Sequence, residues 1–233
     1  MAQSTFYFVG CCSMDQPTPD NHYAAANIGL VYVGGSKTGL RRALMTFDVF
    51  GAAAEGRALR ANDVIESAEL VFEILTILGT SGMACQAERV TRADWDAATA
   101  TWNSYKTGNA WTAGGGDVGT PPSALTYNGP TALGPFEIAG AAGFVTDAIA
   151  NRGGLVNLRH MLVNESLGVT AEWSPDNGVG STRLRLRVTY ASVEPAPLAE
   201  PVESPASARG SDVAQAARAG RAAAPARPAR AGR

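Results

Sequence analysis

Apolar residues along this chain recur mainly with the two-residue period that is typical of β-strands. Residues 42–49 place alanine, methionine, phenylalanine and valine on one face, and residues 182–190 alternate apolar side chains with arginines. Further segments with strand character are bounded by turn-forming residues. They are residues 5–9, 28–33, 64–78, 83–90, 133–138, 155–163 and 169–173.

These nine segments predict an all-β fold, an antiparallel β-sandwich of jelly-roll type with about nine strands. Residues 64–78 and 83–90 flank a turn at 79–82 and predict a hairpin. The one candidate helix is 143–151, which two glycines follow in the usual C-terminal position. The Gly-, Thr- and Pro-rich segment 106–130 reads as a long loop, and such loops often have a function.

Composition divides the chain into a predicted β-sandwich domain at 1–190 and an irregular C-terminal tail at 191–233. The tail is almost entirely Ala, Pro, Arg, Glu, Ser and Gly, so it cannot bury enough apolar surface to fold alone. Its six arginines and four acidic residues give it +2, which leaves −4 for the domain out of the total of −2. A mildly acidic domain gives no case for a nucleic-acid-binding surface.

The tail arginines are candidates for contacts with neighbouring protein subunits of a larger assembly; the alternative is a solvated tether. The candidate residues are Arg218, Arg221, Arg227, Arg230 and Arg233. The first residues of the chain lack the basic and apolar regions of a signal peptide. No apolar run approaches the ~18 residues of a membrane span. We therefore expect that the first residues are not a signal peptide and that the sequence contains no membrane-spanning segment.

Three cysteines are present, Cys11, Cys12 and Cys85, and no two of them have CxxC spacing, so a zinc site is unsupported. A disulfide from Cys11 or Cys12 to Cys85 remains open, with buried thiols the favoured alternative.

The most distinctive motif is Asp94-Trp95-Asp96 followed by Thr101-Trp102-Asn103. It resembles the signature of the DNRLRE-type domain, a β-sandwich related to one class of carbohydrate-binding modules. Four further segments are similar to that family in the expected order: 21–34, 42–48, 65–70 and 182–190. Residues 143–147 depart from the family's pattern, and the 106–130 loop is longer than usual. The resemblance implies a binding or structural module, although this architecture hosts many functions.

The tryptophans are the candidate ligand-binding residues. Trp95 and Trp102 could stack on sugar rings, but packing at the sandwich edge is the favoured alternative, with the neighbouring polar residues capping loop backbone groups. Trp111, in the variable loop, is the better candidate for facing a ligand.

A candidate metal site lies in the Pro-rich segment near the start of the chain. Asp15, Asp20 and Asn21 supply oxygen ligands suited to calcium. The resemblance makes a structural calcium plausible, because sandwich modules of this kind often carry one. The spacing is not that of an EF-hand, so solvated turn residues are the favoured alternative.

Signals for catalysis are weak. His22 and His160 are the only histidines, and neither lies in a nucleophile-elbow context. We expect His160 to be a surface or hydrogen-bonded residue. Glu137, Glu165 and Glu172 could pair for glycoside cleavage, but scattered acids on sheet faces are the default.

The sequence therefore favours a non-catalytic surface-binding or structural module of a larger assembly, for example a phage virion accessory protein that decorates a capsid or associates with a tail. The alternative is a free carbohydrate-binding protein that recognises an acidic or cell-wall polysaccharide. Either function places the protein on a virion or at a cell surface.

Overall fold

The computed structural model describes residues 1–24, 31–36, 39–165, 170–175 and 184–193. Within them lie thirteen strands and one short helix, which confirms the all-β prediction. The strands are β1 Ala2–Asp15, β2 Tyr23–Ala24, β3 Val31–Ser36, β4 Gly39–Asp48, β5 Val64–Gly79, β6 Ala84–Arg89, β7 Ser104–Lys106, β8 Asn109–Ala110, β9 Leu125–Asn128, β10 Gly134–Ala139, β11 Leu155–Leu162, β12 Thr170–Pro175 and β13 Arg185–Ala191; the helix is α1, Ala142–Asn151. No helix in this part of the chain is long and apolar enough to span a membrane.

Most of the strands form one large antiparallel sheet that nearly closes on itself. β1, β13, β5, β12, β3 and β4 pair in this order, and β4 pairs again with β1. β11, β6 and β9 extend the sheet beyond β4, while β10 lies beside β5 and β2 beside β1. This arrangement agrees with a sandwich or barrel, but the finer prediction of a jelly roll is not confirmed.

The closure depends on two long strands that change partners along their length. Residues 2–7 of β1 pair with β13, whereas residues 8–15 pair with β4, and the register shifts between Phe8 and Gly10. Similarly, β5 pairs first with β13 and then with β12. Such irregularities bend a strand and increase its twist, so the sheet curves back on itself.

The main hydrophobic core lies on the inner side of this curved sheet. Strand β4 contributes Ala43, Met45 and Phe47, on the face that the alternation predicts. Strands β5 and β13 contribute their alternating apolar residues in the same way, and α1 packs its buried face onto this core. Full burial of each large apolar side chain contributes roughly 1.5–3 kcal/mol.

Two local predictions were wrong. No pairing joins β5 to β6 in the described residues; β6 pairs with β11 and β9, so residues 80–83 connect two strands that are not neighbours instead of closing a hairpin. The predicted loop 106–130 contains β8 and β9, and β7 ends at its first residue. The last strand ends at Ala191, next to the predicted boundary at 190, and residues 194–233, with all five candidate arginines, lie outside the described residues.

Candidate functional site

A second hydrophobic cluster covers the outer face of β4 and of the second half of β1. Leu44 belongs to it while its neighbours Ala43 and Met45 belong to the main core, so β4 is buried on both faces. We call this cluster the tryptophan layer. Its buried members are Cys12, Met14, Leu44, Val90, Trp95, Ala100, Trp102, Tyr105 and Trp111.

The three tryptophans of this layer are buried, with Trp95 8%, Trp102 7% and Trp111 6% exposed. The indole N–H of Trp95 donates to Oδ1 of Asn157 at 3.0 Å, and that of Trp111 donates to the carbonyl of Thr101 at 3.0 Å. Because the rings are covered, none of them offers an open face to a sugar. The prediction that Trp111 faces a ligand does not agree with its burial, and the packing alternative describes all three rings.

Polar side chains of the same loop fix its backbone, as the packing alternative expects. Asp96 accepts hydrogen bonds from the hydroxyl of Thr99 at 2.7 Å and from the backbone N–H of Ala98 at 2.9 Å. These two bonds hold the pKa of Asp96 below its usual value. Asp94 instead accepts from Nζ of Lys106 at 2.5 Å.

An open cleft of about 750 Å³ lies beside the tryptophan layer, within the size range of small-ligand sites. Three arginines and one carboxylate contribute to its walls, and we call it the arginine cleft. Its lining residues are Arg42, Thr91, Arg92, Thr112, Ala113, Gly114, Gly116, Asp117, Val118 and Arg159.

Arg42 is held in a fixed orientation at this cleft. Its Nε and one terminal nitrogen donate to the two carboxylate oxygens of Glu165 at 2.9 and 2.8 Å. Its other terminal nitrogen donates to the carbonyl of Gly115 at 3.1 Å, and the guanidinium lies 4.9 Å above the ring of Trp102. Bidentate pairing and stacking together restrict the side chain.

Arg159 is more deeply buried than Arg42 and binds the same glycine-containing loop, residues 114–116. It donates to Glu88 through Nε at 3.2 Å and Nη2 at 2.5 Å, and Nη1 donates to the carbonyl of Gly116 at 2.6 Å. Burial lowers the pKa of Arg159, and the charge of Arg42 acts in the same direction, while Glu88 opposes both. Two guanidinium groups therefore hold the glycine segment against the sheet.

The glycines are required because the loop lies directly on Trp102. A Cβ atom on Gly114 would approach Nε1 of Trp102 to 2.6 Å, and one on Gly115 would approach the ring carbon Cη2 to 2.8 Å. Gly115 also has φ of +81°, which side chains other than glycine rarely adopt. The cleft wall here is consequently bare backbone.

Arg92 is the most accessible cation of the arginine cleft, with 42% of its side chain exposed. Its guanidinium lies 4.8 Å above the ring of Tyr105, and Nε is 3.7 Å from Oδ2 of Asp117, but it makes no hydrogen bond within the described residues. Burial alone would raise the pKa of Asp117; backbone hydrogen bonds from Thr112 and Ala113 outweigh it, so the carboxylate stays ionised.

A smaller cavity of about 330 Å³ lies between the loop that carries Trp95 and the strands β1, β4 and β11. We call it the asparagine pocket, and its lining residues are Val9, Gly10, Thr46, Ala93, Trp95, Asp96, Ala97, Leu155 and Asn157. Asn157 is 2% exposed, and its Oδ1 accepts from both Trp95 and Thr46. Its Nδ2 has no acceptor among the described residues, although buried donors are nearly always paired.

The three candidate calcium ligands are each engaged by protein groups. Arg41 and Thr18 contact Asp15 at 3.2 and 2.9 Å, Asn103 contacts Asp20 at 2.9 Å, and the side chain of Asn21 contacts Tyr23 at 3.4 Å. In the described ranges, no group of three His, Cys, Asp or Glu side chains could hold a metal ion. Asp15 and Asp20 have separate partners, and structural calcium stays a prediction.

All three cysteines are buried free thiols, as the favoured alternative expects. Burial raises the pKa of Cys11 and of Cys85 to about 12, and that of Cys12 well above its usual value. Cys11 and Cys85 belong to the same core cluster, but neither Cys11 nor Cys12 is joined to Cys85 by a disulfide.

The candidate acid–base residues do not form a catalytic arrangement in the described part of the chain. His160 is fully buried and is a hydrogen-bonded residue, the second of the two expected roles: its Nδ1 lies 2.8 Å from the hydroxyl of Tyr127. Glu137 pairs with Arg187 at 3.1 Å, and Glu165 pairs with Arg42. The side chain of Glu172 lies outside the described residues.

The two cavities were not predicted from the sequence, nor were the residues that build them, above all Arg42, Arg92, Arg159 and Asn157. One signal was present: Asn157 and Arg159 alternate with apolar residues in 155–162, so a second polar-lined environment faces the outer side of β11.

A search with protein-family models finds no match to this sequence, and a comparison with curated proteins also finds none. The resemblance to the DNRLRE-type domain therefore stays a prediction.

Proposed function

We propose that this protein is a non-catalytic structural or surface-binding module of a larger assembly, for example a phage virion accessory protein that decorates a capsid or associates with a tail. The tryptophan layer is the observation that supports this proposal most. It uses the large aromatic side chains of residues 91–118 to build a second core on the outer face of the sheet. A domain consolidated in this way is a rigid platform for attachment.

The described ion pairs support the same conclusion. Arg42 and Arg159, the two less exposed cations of the arginine cleft, bind Glu165 and Glu88 and donate to loop carbonyls. Groups that are fixed in this way hold a loop in place and are not free for acid–base chemistry. The arginine-containing tail then provides the proposed attachment to neighbouring subunits, through residues that carry +2 beside an acidic domain.

Removal of the tail tests this proposal. The full chain is expected to sediment with large particles of its source in a density gradient, and a chain that ends at Val193 is expected to remain in the light fractions. A variant with glutamine at the five candidate tail arginines should behave like the truncated chain, because the proposed contacts are electrostatic.

The matched control carries the same tail residues in scrambled order, which keeps composition and charge. If charge alone is responsible, this control sediments like the full chain. Recovery of the full chain only in light fractions would contradict the assembly role, and so would a truncated chain that still sediments with the particles.

A second candidate function is recognition of an acidic polysaccharide, and the arginine cleft favours it. Arg92 is the most exposed cation there, the hydroxyl oxygens of Thr91 and Thr112 can accept hydrogen bonds, and Asp117 has lone pairs left for a ligand hydroxyl. Glu88 and Glu165, which neutralise the other two arginines, do not line the cleft. The walls therefore suit a ligand that carries both a carboxylate and hydroxyl groups.

Calorimetry with a trimer of galacturonic acid tests this second function. Arg92→Gln is expected to weaken binding at least about tenfold, since it removes the most exposed cation of the cleft. Arg187→Gln is the matched control, because Arg187 pairs with Glu69 and Glu137 outside the cleft. Equal affinities of the two variants would exclude the arginine cleft as the binding site.

A further inference from the structure

Residues 54–63 lie beside the first strand of the large sheet and are fixed to it. The backbone N–H of Ala54 donates to the carbonyl of Thr5 at 2.7 Å, and the backbone N–H of Thr5 donates to the carbonyl of Glu55 at 2.9 Å. Further along, Leu59 is buried and belongs to the main core. The segment is therefore held by both β1 and the core, and we call it the strap.

A glycine lets the strap lie directly on β1. A Cβ atom on Gly56 would collide with the carbonyl oxygen of Gln3 and would approach Oγ of Ser4 to 2.5 Å, and Gly56 has φ of +80°. Beside it, the hydroxyl of Ser4 donates to the carbonyl of Arg57 at 2.7 Å, and the backbone N–H of Arg57 donates to Oγ of Ser4 at 3.0 Å. The backbone of Arg57 is thus bound to the start of β1.

The strap also holds the residues that lead into the C-terminal tail. The guanidinium of Arg57 lies 4.6 Å above the ring of Tyr190, and its Nη2 donates to Oγ of Ser192 at 2.6 Å. Asn62 provides a second hold, since its Nδ2 donates to the carbonyl of Val193 at 2.9 Å. The strap consequently binds the end of β13 and the two residues that follow it.

A buried carboxylate fixes the orientation of the Arg57 guanidinium. Nη1 and Nη2 of Arg57 donate to the two oxygens of Asp63 at 2.8 and 2.7 Å. The side chain of Asp63 is 1% exposed, and it also accepts from the backbone N–H of Arg60 at 2.7 Å. Because bidentate pairing restricts both side chains, Arg57 is positioned in advance for its contacts with residues 190–193.

We propose that the strap anchors residues 190–193, the root of the tail, so that a pulling force on the tail is transmitted to the core and does not peel β13 from the sheet. The start of β1 and the end of β13 are neighbours, because Ala2 pairs with Tyr190. The hydrogen bonds of an antiparallel pair are perpendicular to its strands, so a force that pulls the strand ends apart breaks them one after another. The strap adds side-chain contacts where this peeling would begin. The inference rests on the proposed attachment through the tail, since an attached tail transmits force.

Constant-force unfolding of single full-length molecules, held at the first and last residues, tests the proposal. The double variant Asn62→Ala, Ser192→Ala removes two hydrogen bonds to the root but keeps the pair of Arg57 and Asp63, whose loss would leave a buried charge unpaired. Its lifetime under force is expected to be at least about tenfold shorter than that of the parent. Arg60→Gln is the matched control and should keep the parent's lifetime, because Arg60 is exposed and its backbone N–H still reaches Asp63.

Hydrogen exchange of the same proteins without force separates a local hold from a general loss of stability. In the double variant, the backbone amides of Thr189, Tyr190 and Ala191 are expected to exchange at least about tenfold faster than in the parent. The amides of β4 in the core should keep the parent's rates.

An unchanged lifetime of the double variant under force would overturn the proposal. A shorter lifetime with equally faster exchange in β4 would also overturn it, because the substitutions would then weaken the whole domain. Neither measurement requires particles. A full chain that stays in the light fractions of the gradient contradicts the assembly role whatever the lifetimes are, so the two failures are separate outcomes.

Discussion

Replacement of Trp102 by alanine is expected to lower the free energy of unfolding by about 3–5 kcal/mol. The indole is 7% exposed and lies beneath Gly114 and Gly115, which contribute no side chains that could fill the space. Its loss also removes the ring on which Arg42 stacks. The cavity term and the lost stacking act in the same direction, so the effect falls at the upper end for single substitutions.

Urea unfolding at pH 7 measures this effect, with Leu133→Ala as the control. Leu133 is 64% exposed, and its truncation should change stability by less than about 0.5 kcal/mol. Trp102→Phe should lie between the two, since the smaller ring retains part of the packing. A loss below about 1 kcal/mol in Trp102→Ala would show that the tryptophan layer is not packed as a core in solution.

The same substitution links stability to the arginine cleft. Trp102 supports both the glycine wall and the guanidinium of Arg42, so its removal should loosen the cleft even under conditions where the protein stays folded. Binding of an acidic sugar and stability of the loop would then decrease together. The tryptophan layer and the wall of the arginine cleft therefore depend on the same residue.

The strands that could be predicted are those whose alternation has one clear apolar face. Residues 42–49 and 182–190 are such cases, because one face of 42–49 and one face of the described residues 184–190 meet the main core. The sequence also indicated that Trp95 and Trp102 serve packing. In contrast, residues 10–15 of β1 are buried on both faces: Cys12 and Met14 meet the tryptophan layer, and Cys11 meets the main core. Apolar and polar residues therefore do not alternate there, and the predicted strand ended too early, at residue 9.

The cavities could not be predicted because distant segments build them. Arg42 and Glu165 are 123 residues apart, and Glu88 and Arg159 are 71 apart. Nothing in the local pattern around either carboxylate indicates its partner. The predicted hairpin failed for the same reason: a turn at 79–82 permits local pairing of the flanking strands, but the partners of β5 and β6 are determined by the closure of the whole sheet.

His160 is expected to make the domain sensitive to acid. The ring is fully buried between Phe72 and Tyr127, and its Nε2 has no partner within the described residues. Burial lowers the pKa of His160 from 6.5 to about 3. The folded protein therefore resists protonation at a pH where the unfolded chain already takes up the proton.

The direction of the effect follows from this difference. The stability contributed by neutral His160 is fully present above pH 6.5, declines as the pH falls from about 6.5 towards 3, and declines no further below that. Each pH unit in this window costs about 1.4 kcal/mol, so His160 alone removes about 3 kcal/mol between pH 7 and pH 4. Paired carboxylates add their own loss at lower pH, since the pKa values of Asp63 and Asp147 lie below their usual range.

A double variant separates the two contributions. His160→Phe combined with Tyr127→Phe replaces both members of the hydrogen-bonded pair with apolar rings of similar shape, so no buried polar atom is left without its partner. Urea unfolding at pH 7 and pH 4 should show that the double variant loses about 3 kcal/mol less than the parent between the two conditions. The carboxylates titrate alike in both proteins and cancel in the comparison. Equal losses would show that His160 takes up its proton in the folded state, with the ring open to water.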